Sequence, residues 1–151
     1  MAKVIDTDLG WNDIVKKAHR LNGRKLKAGV LEPEGSQRYK NGTSVVSAAL
    51  YNHYGTERIP SRPFLAIATD ENKGWQKYVA EEIGKTMDSP ANSVNNALES
   101  VGTIMVADIR RVIGSGKLKP NAPRTVLRKH HDMPLIGTEY KLMSSIRYEV
   151  E

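Results

Sequence analysis

The order of apolar and polar positions divides the chain into helical and extended stretches. Behind Asp8, the residues Trp11, Ile14, Val15, Ala18 and Leu21 recur at the spacing that lines one face of a helix, with Lys16, Lys17 and Arg20 turned outward. Asp8 is suited to cap this helix and Asn22-Gly23 to end it. Leu26, Ala28 and Val30 then alternate with Lys27, Gly29 and Leu31, the period of a strand with one buried face. A mobile polar loop is expected over 33–42. Thr43 follows it as the expected cap of a second helix through Val45, Val46, Ala49 and Leu50, which Gly55 stops.

Prolines punctuate what comes next. Pro60 and Pro63 remove backbone donors and fix their own φ, so 56–65 is expected to be an extended, stiff connector anchored by Phe64 and Leu65. Trp75, Val79, Glu82 and Ile83 predict a third helix ending between Gly84 and Pro90. Val94, Leu98, Val101, Met105, Ile109 and Val112 give the clearest period in the chain, a long amphipathic helix over about 92–113 stopped by Gly114-Ser115-Gly116. Beyond Pro120 and Pro123, a short strand is expected at Thr125–Leu127. A short helix from Gly137-Thr138 through Tyr140 and Leu142 follows, then a terminal strand on Ile146, Tyr148 and Val150. These elements imply the α+β class, a small antiparallel sheet packed against helices, in one domain spanning 1–151.

Composition narrows the chemistry. With 39% hydrophobic residues, 151 residues suffice for one modest core, and because aromatics are scarce the single phenylalanine, Phe64, stands out within it. The absence of cysteine removes disulfides, thiolate metal sites and thiol nucleophiles. No run approaches the ~18 apolar residues of a membrane span, and Met1–Asp8 lacks the apolar region of a secretory signal, so the expectation is a soluble protein that begins in a cytoplasm. The formal charge of +6 is unevenly spread. Lys16, Lys17, Arg20, Arg24, Lys25 and Lys27 form one run without an acid. Arg110, Arg111, Lys117, Lys119, Arg124, Arg128 and Lys129 form another, while seven of the 17 acids lie between Asp70 and Asp108. Such runs serve solubility, or they meet the phosphates of nucleic acid or an acidic partner.

Catalytic constellations are hard to find. Gly114-Ser115-Gly116-Lys117 has the glycines of a phosphate loop, but Arg111 occupies the first glycine position, Leu118 replaces the Mg-binding hydroxyl, and a helix precedes it instead of a strand. His130-His131-Asp132 offers metal-ligand types, yet neighbours in an extended segment point to opposite sides, and His19 and His53 lack the spacing that would join them. Neither Glu81-Glu82 nor any Ser–His–Asp spacing assembles an acid–base pair. The basic runs are not interleaved with aromatic platforms, so any contact with nucleic acid is expected to run through backbone charge without reading sequence.

Two segments carry a family resemblance. Ala49-Leu50-Tyr51-Asn52-His53-Tyr54-Gly55-Thr56, followed by Ile59-Pro60-Ser61-Arg62-Pro63-Phe64-Leu65, resembles the signature Asn-x-(Phe/Tyr)-Gly-Thr then Ile-Pro-x-Arg-Pro-Phe of tail-completion and neck proteins of tailed bacteriophages. Thr125–Lys129, Pro134-Leu135-Ile136-Gly137-Thr138 and Leu142–Tyr148 look like the closing segment of the same families, so the likeness runs from Lys25 onward. The chain departs from the pattern at His53, where relatives often carry Glu, and at Gly137, where they often carry Asp.

The resemblance implies a virion protein of the head-tail junction, made in the host cytoplasm, without catalytic activity or cofactor. It implies a homo-oligomeric ring of six or twelve copies that meets neighbouring neck, portal-adaptor or tail-tube proteins and no membrane. On this reading Tyr54, Thr56, Ile59, Pro60, Arg62, Pro63 and Phe64 form either an internal corner or a subunit contact. Lys16, Lys17, Arg20, Arg24, Lys25, Arg110, Arg111, Lys117, Lys119, Arg128 and Lys129 face packaged DNA or acidic neighbours. The rival reading is a nucleic-acid-binding module using the basic segments 16–27 and 110–129 without sequence specificity.

Overall fold

A computed structural model describes residues 15, 16, 18, 19, 22–71, 74–88, 94–137 and 139–151. In chain order the elements are β1 (Leu26–Val30), a 3-10 turn (Glu34–Ser36), α1 (Val45–Tyr54), α2 (Phe64–Glu71), α3 (Trp75–Asp88), α4 (Val94–Gly114), α5 (Pro123–Lys129), α6 (Lys141–Ser144) and β2 (Ile146–Val150). The class is α+β, with a two-stranded antiparallel sheet laid on helices. Near the N-terminus, Val15, Lys16, Ala18 and His19 are helical, whereas Asp8, Trp11, Ile14 and Leu21 lie outside the described residues.

The fold is organised around α4. Its 21 residues make a rod about 30 Å long, and Leu98, Val101, Ile109, Val112 and Ile113 bury one stripe of it. β1 and β2 lie across that stripe in the register Leu26↔Val150 to Val30↔Ile146, so Ala28, Val30, Ile146 and Tyr148 join the core face. Gly102 sets the separation of helix and sheet, since a Cβ there would come within 2.5 Å of the Tyr148 ring. To the same core α2 contributes Phe64 and Ala68, both fully buried, and α1 contributes Val45 and Ala49. α3 is tied back to α4 by the Trp75 indole N–H, which donates to Asp108 Oδ2 at 2.9 Å.

Several sequence expectations need correction. Thr43 does not cap α1. Ser44 does, with an extended backbone and an Oγ that accepts from Ser47 N at 3.1 Å, while Asn41 Oδ1 holds Thr43 N in the preceding turn. The extended connector ends at Pro63, because Phe64 and Leu65 open α2, whose apolar Phe64, Ile67 and Ala68 recur at helical spacing. The 33–42 segment contains the 3-10 turn and closes on itself: Tyr39 N donates to Thr43 O, Gly42 N to Tyr39 O, and Arg38 Nη1 to Gly42 O.

Thr125–Leu127 is helical and forms no strand. Pro123 occupies the first turn of α5, where its missing N–H costs nothing, and Thr125 and Val126 both donate back to Ala122 O. The third helix ends, within the described residues, at Asp88, inside the expected range from 84 to 90, and the long helix spans Val94–Gly114, close to the expected 92–113. The short helix near the C-terminus starts at Lys141, after Tyr140 in the left-handed conformation.

Candidate interaction site

The signature segment folds into a tight corner between α1 and α2. Gly55 ends α1 at φ 83°, and its N–H caps Tyr51 O at 3.0 Å. A side chain is excluded there for a second reason, since a Cβ would approach Ser61 N to 2.8 Å and Ile59 O to 3.0 Å. Thr56 then closes a small turn. Its N–H donates to Ile59 O at 2.8 Å, and its Oγ1 accepts from Ile59 N at 3.0 Å. Ser61 Oγ donates to His53 O at 2.8 Å and Arg62 N to Asn52 O at 2.6 Å, so the proline segment is bonded along the end of α1. A chain that lacks proline donors still satisfies its neighbours in this way.

Arg62 locks the corner from inside. Only 5% of the residue is exposed, and its guanidinium donates through Nε to Lys119 O (2.7 Å), through Nη1 to Asn52 Oδ1 (2.9 Å), and through Nη2 to Pro120 O (3.0 Å) and Asn121 Oδ1 (3.4 Å). Asn52 is itself fixed by Nδ2 donating to Ala48 O at 2.8 Å. Every acceptor is a carbonyl or amide oxygen and none is a carboxylate. Burial therefore pushes the guanidinium pKa below its ordinary value, and the group remains charged because arginine starts so high. Lys129 lies close by and donates to Pro134 O and Ile136 O, both at 2.9 Å. Its ammonium pKa is lowered, first by burial and then by the charges of Arg62 and Arg128.

The seven corner residues expected to act together divide into an inner and an outer set. Arg62 and Phe64 are buried within the subunit, so they brace the corner and offer no surface. Pro63 and Ile59 are half-buried, and Tyr54, Thr56 and Pro60 are exposed, Tyr54 by 75%. Leu50, expected among the packed apolar positions of this helix, is instead half exposed, and with Tyr51 it shares the outer side of α1 with Tyr54 and extends the exposed apolar strip. His53 packs edge-on against Phe64, with ring centres 5.5 Å apart. Asn52 opens the signature in the sequence, but what its amide oxygen holds is visible only once Arg62 is packed against it.

The basic residues do not form one patch. Arg111 pairs with Asp108 at 2.8 Å and reaches Glu71, and Lys117 pairs with Glu71 at 2.8 Å, so folding supplies the acids that the linear run lacks. Arg110 donates to Met143 O and Ile146 O and works as a brace between α4 and β2. Lys16, Arg24, Lys25, Lys119, Arg124 and Arg128 are exposed, while Lys17 and Arg20 lie outside the described residues. His130 ends α5 in the left-handed conformation, and among the described residues no three His, Asp or Glu side chains converge on a metal-sized site. Among them too, no helix is long and apolar enough to cross a membrane. Comparison with protein-family models, with curated proteins and with solved structures finds no match.

Proposed function

We propose that this chain is a virion structural protein of a tailed bacteriophage. It forms one subunit of a homo-oligomeric ring at the head-tail junction that completes the tail or neck for head attachment. The observation that carries the reading is the signature from Ala49 to Leu65, in which a Gly-Thr turn, two prolines, an arginine and the only phenylalanine occur together. The geometry supports it in a specific way. Arg62 and Phe64 stiffen the corner from within, and its outer rim of Tyr54, Thr56 and Pro60, extended by Leu50 and Tyr51, remains uncovered in the single subunit. A pre-ordered apolar rim loses little conformational freedom on docking, which is what a ring contact repeated many times requires.

The test is cryo-electron microscopy of intact virions with the chain identified by mass spectrometry. Six or twelve copies at the junction are expected. Purified particles without the chain, or density for it only in the capsid shell or tail tip, would remove the assignment.

One observation favours the second reading, a sequence-independent contact with nucleic acid. Arg24, Lys119, Arg124 and Arg128 are exposed and have no carboxylate within ion-pair distance among the described residues. Retention of the isolated chain on duplex DNA, with affinity falling steeply as salt rises, would support that reading; no retention at low salt would dismiss it.

A further inference from the structure

We infer that the outer edge of β2 pairs with β1 of the next copy, so that the two-stranded sheet continues from subunit to subunit; the inference rests on the ring reading above. Ladder parity identifies the free groups. Lys25 and Glu151 exchange both backbone bonds, at 2.9 and 2.8 Å, so Arg147 and Glu149 turn their N–H and C=O toward β1 while Ile146, Tyr148 and Val150 turn theirs away. Arg110 already occupies Ile146 O. The outward backbone groups of Tyr148 and Val150 have no partner among the described residues, and the same holds for Leu26, Ala28 and Val30 on the opposite edge of the sheet. An open strand edge is a template for another strand, and a two-stranded sheet is the smallest unit that gains from a third.

Four features point to a second copy as the occupant. β1 and β2 are antiparallel, so a copy related by rotation presents its β1 antiparallel to β2, a heterologous contact that repeats around a ring. Both edges are five residues long. In the register that repeats the internal one, Ala28 of the next copy faces Tyr148, and Gly29 faces Arg147 and leaves room for its side chain. Lys27 of that copy, which also pairs with Glu151 of its own subunit, then faces Glu149, an exposed carboxylate with no ion-pair partner among the described residues. Finally, a groove of about 550 Å³ lies at this edge, lined by Val106, Ala107, Ile146 and Tyr148 together with Thr103, Arg110 and Arg147, and its apolar part would receive the side chains of an added strand.

The chain has no cysteine, which makes the test direct. Lys27→Cys and Glu149→Cys are prepared as separate full-length proteins and mixed under oxidising conditions. In the proposed contact these two positions form a non-hydrogen-bonded pair with Cα atoms about 4.5 Å apart, within disulfide range. A disulfide-linked heterodimer is expected, well above the level given by Lys77→Cys mixed with Glu149→Cys. Val150→Pro removes an outward N–H that the subunit does not use. It should leave the melting temperature unchanged and weaken self-association about tenfold by sedimentation. Rings that form without the Lys27–Glu149 cross-link overturn the strand pairing and leave the ring assignment standing. A chain that stays monomeric without cross-linking, and is missing from the junction in virions, overturns both.

Discussion

The two proline connectors are built alike and behave differently. Pro60-Ser61-Arg62-Pro63 and Pro120-Asn121-Ala122-Pro123 each place two prolines three residues apart just ahead of or at the start of a helix, and they touch, because Arg62 donates to Lys119 O and Pro120 O. Behind the first, α2 sends Phe64 and Ala68 into the core. Behind the second, α5 has no buried residue and leaves Leu127 75% exposed. Proline spacing therefore determines where a helix begins, and the side chains that follow determine whether it is buried. Phe-Leu-Ala-Ile has an apolar stripe at helical spacing, whereas Arg124, Arg128 and Lys129 surround Val126 and Leu127 with charge.

The strongest way to break this contrast is Phe64→Ala. Emptying a fully buried aromatic site should cost about 3–5 kcal/mol, read by chemical denaturation. A loss below about 1 kcal/mol would mean that α2 is not anchored as described. Arg62→Ala comes next. It strands two carbonyls and two amide oxygens at the junction of the connectors and should cost about 3 kcal/mol, lowering the melting temperature by roughly 10 °C. Arg62→Lys should recover only part of that, since an ammonium cannot reproduce the planar fork. Gly55→Ala should cost about 1–3 kcal/mol through left-handed strain and the close approach of Ser61. Leu127→Ala should change stability by less than about 0.5 kcal/mol. A larger loss would show that α5 is packed, and the contrast would fail.

Acid offers the mildest test. Hydrogen bonding to Lys27 lowers the Glu151 pKa, and hydrogen bonding to Arg147 lowers that of Glu34, both from an ordinary 4.5. Their folded values lie below the unfolded ones, so their contribution is complete near neutrality and disappears as pH falls through the folded pKa, below 4.5. Arg62 has only carbonyl and amide acceptors, none of which titrates in that range. Amide exchange followed from pH 6 to pH 3 should therefore loosen the ends of the sheet while the corner keeps its protection.

Long apolar periods were legible in the sequence because one side of an element decides its own spacing. The stripe of α4 at Leu98, Val101, Ile109 and Val112, and the alternation of β1 and β2, needed no knowledge of distant residues. Short elements were not legible. α5 has too few residues for a period, and β-branched Thr125 and Val126 suggest a strand until Pro123 is placed in a first helical turn. Likewise, Ser44 and Thr43 are both good caps, and the choice is made by the Asn41 turn that holds Thr43 N. At the candidate site, the stiffness of the corner followed from its prolines, but the inward direction of Arg62 did not. It depends on carbonyls 57 and 58 positions away, which sequence spacing does not connect to Arg62.

That separation carries a kinetic consequence. Because the latch of Arg62 is supplied by Lys119 and Pro120, the corner cannot close until most of the polypeptide has been made and gathered. Nascent or truncated chains that stop short of those residues lack a finished rim, and so only a completed subunit presents the surface on which docking would occur.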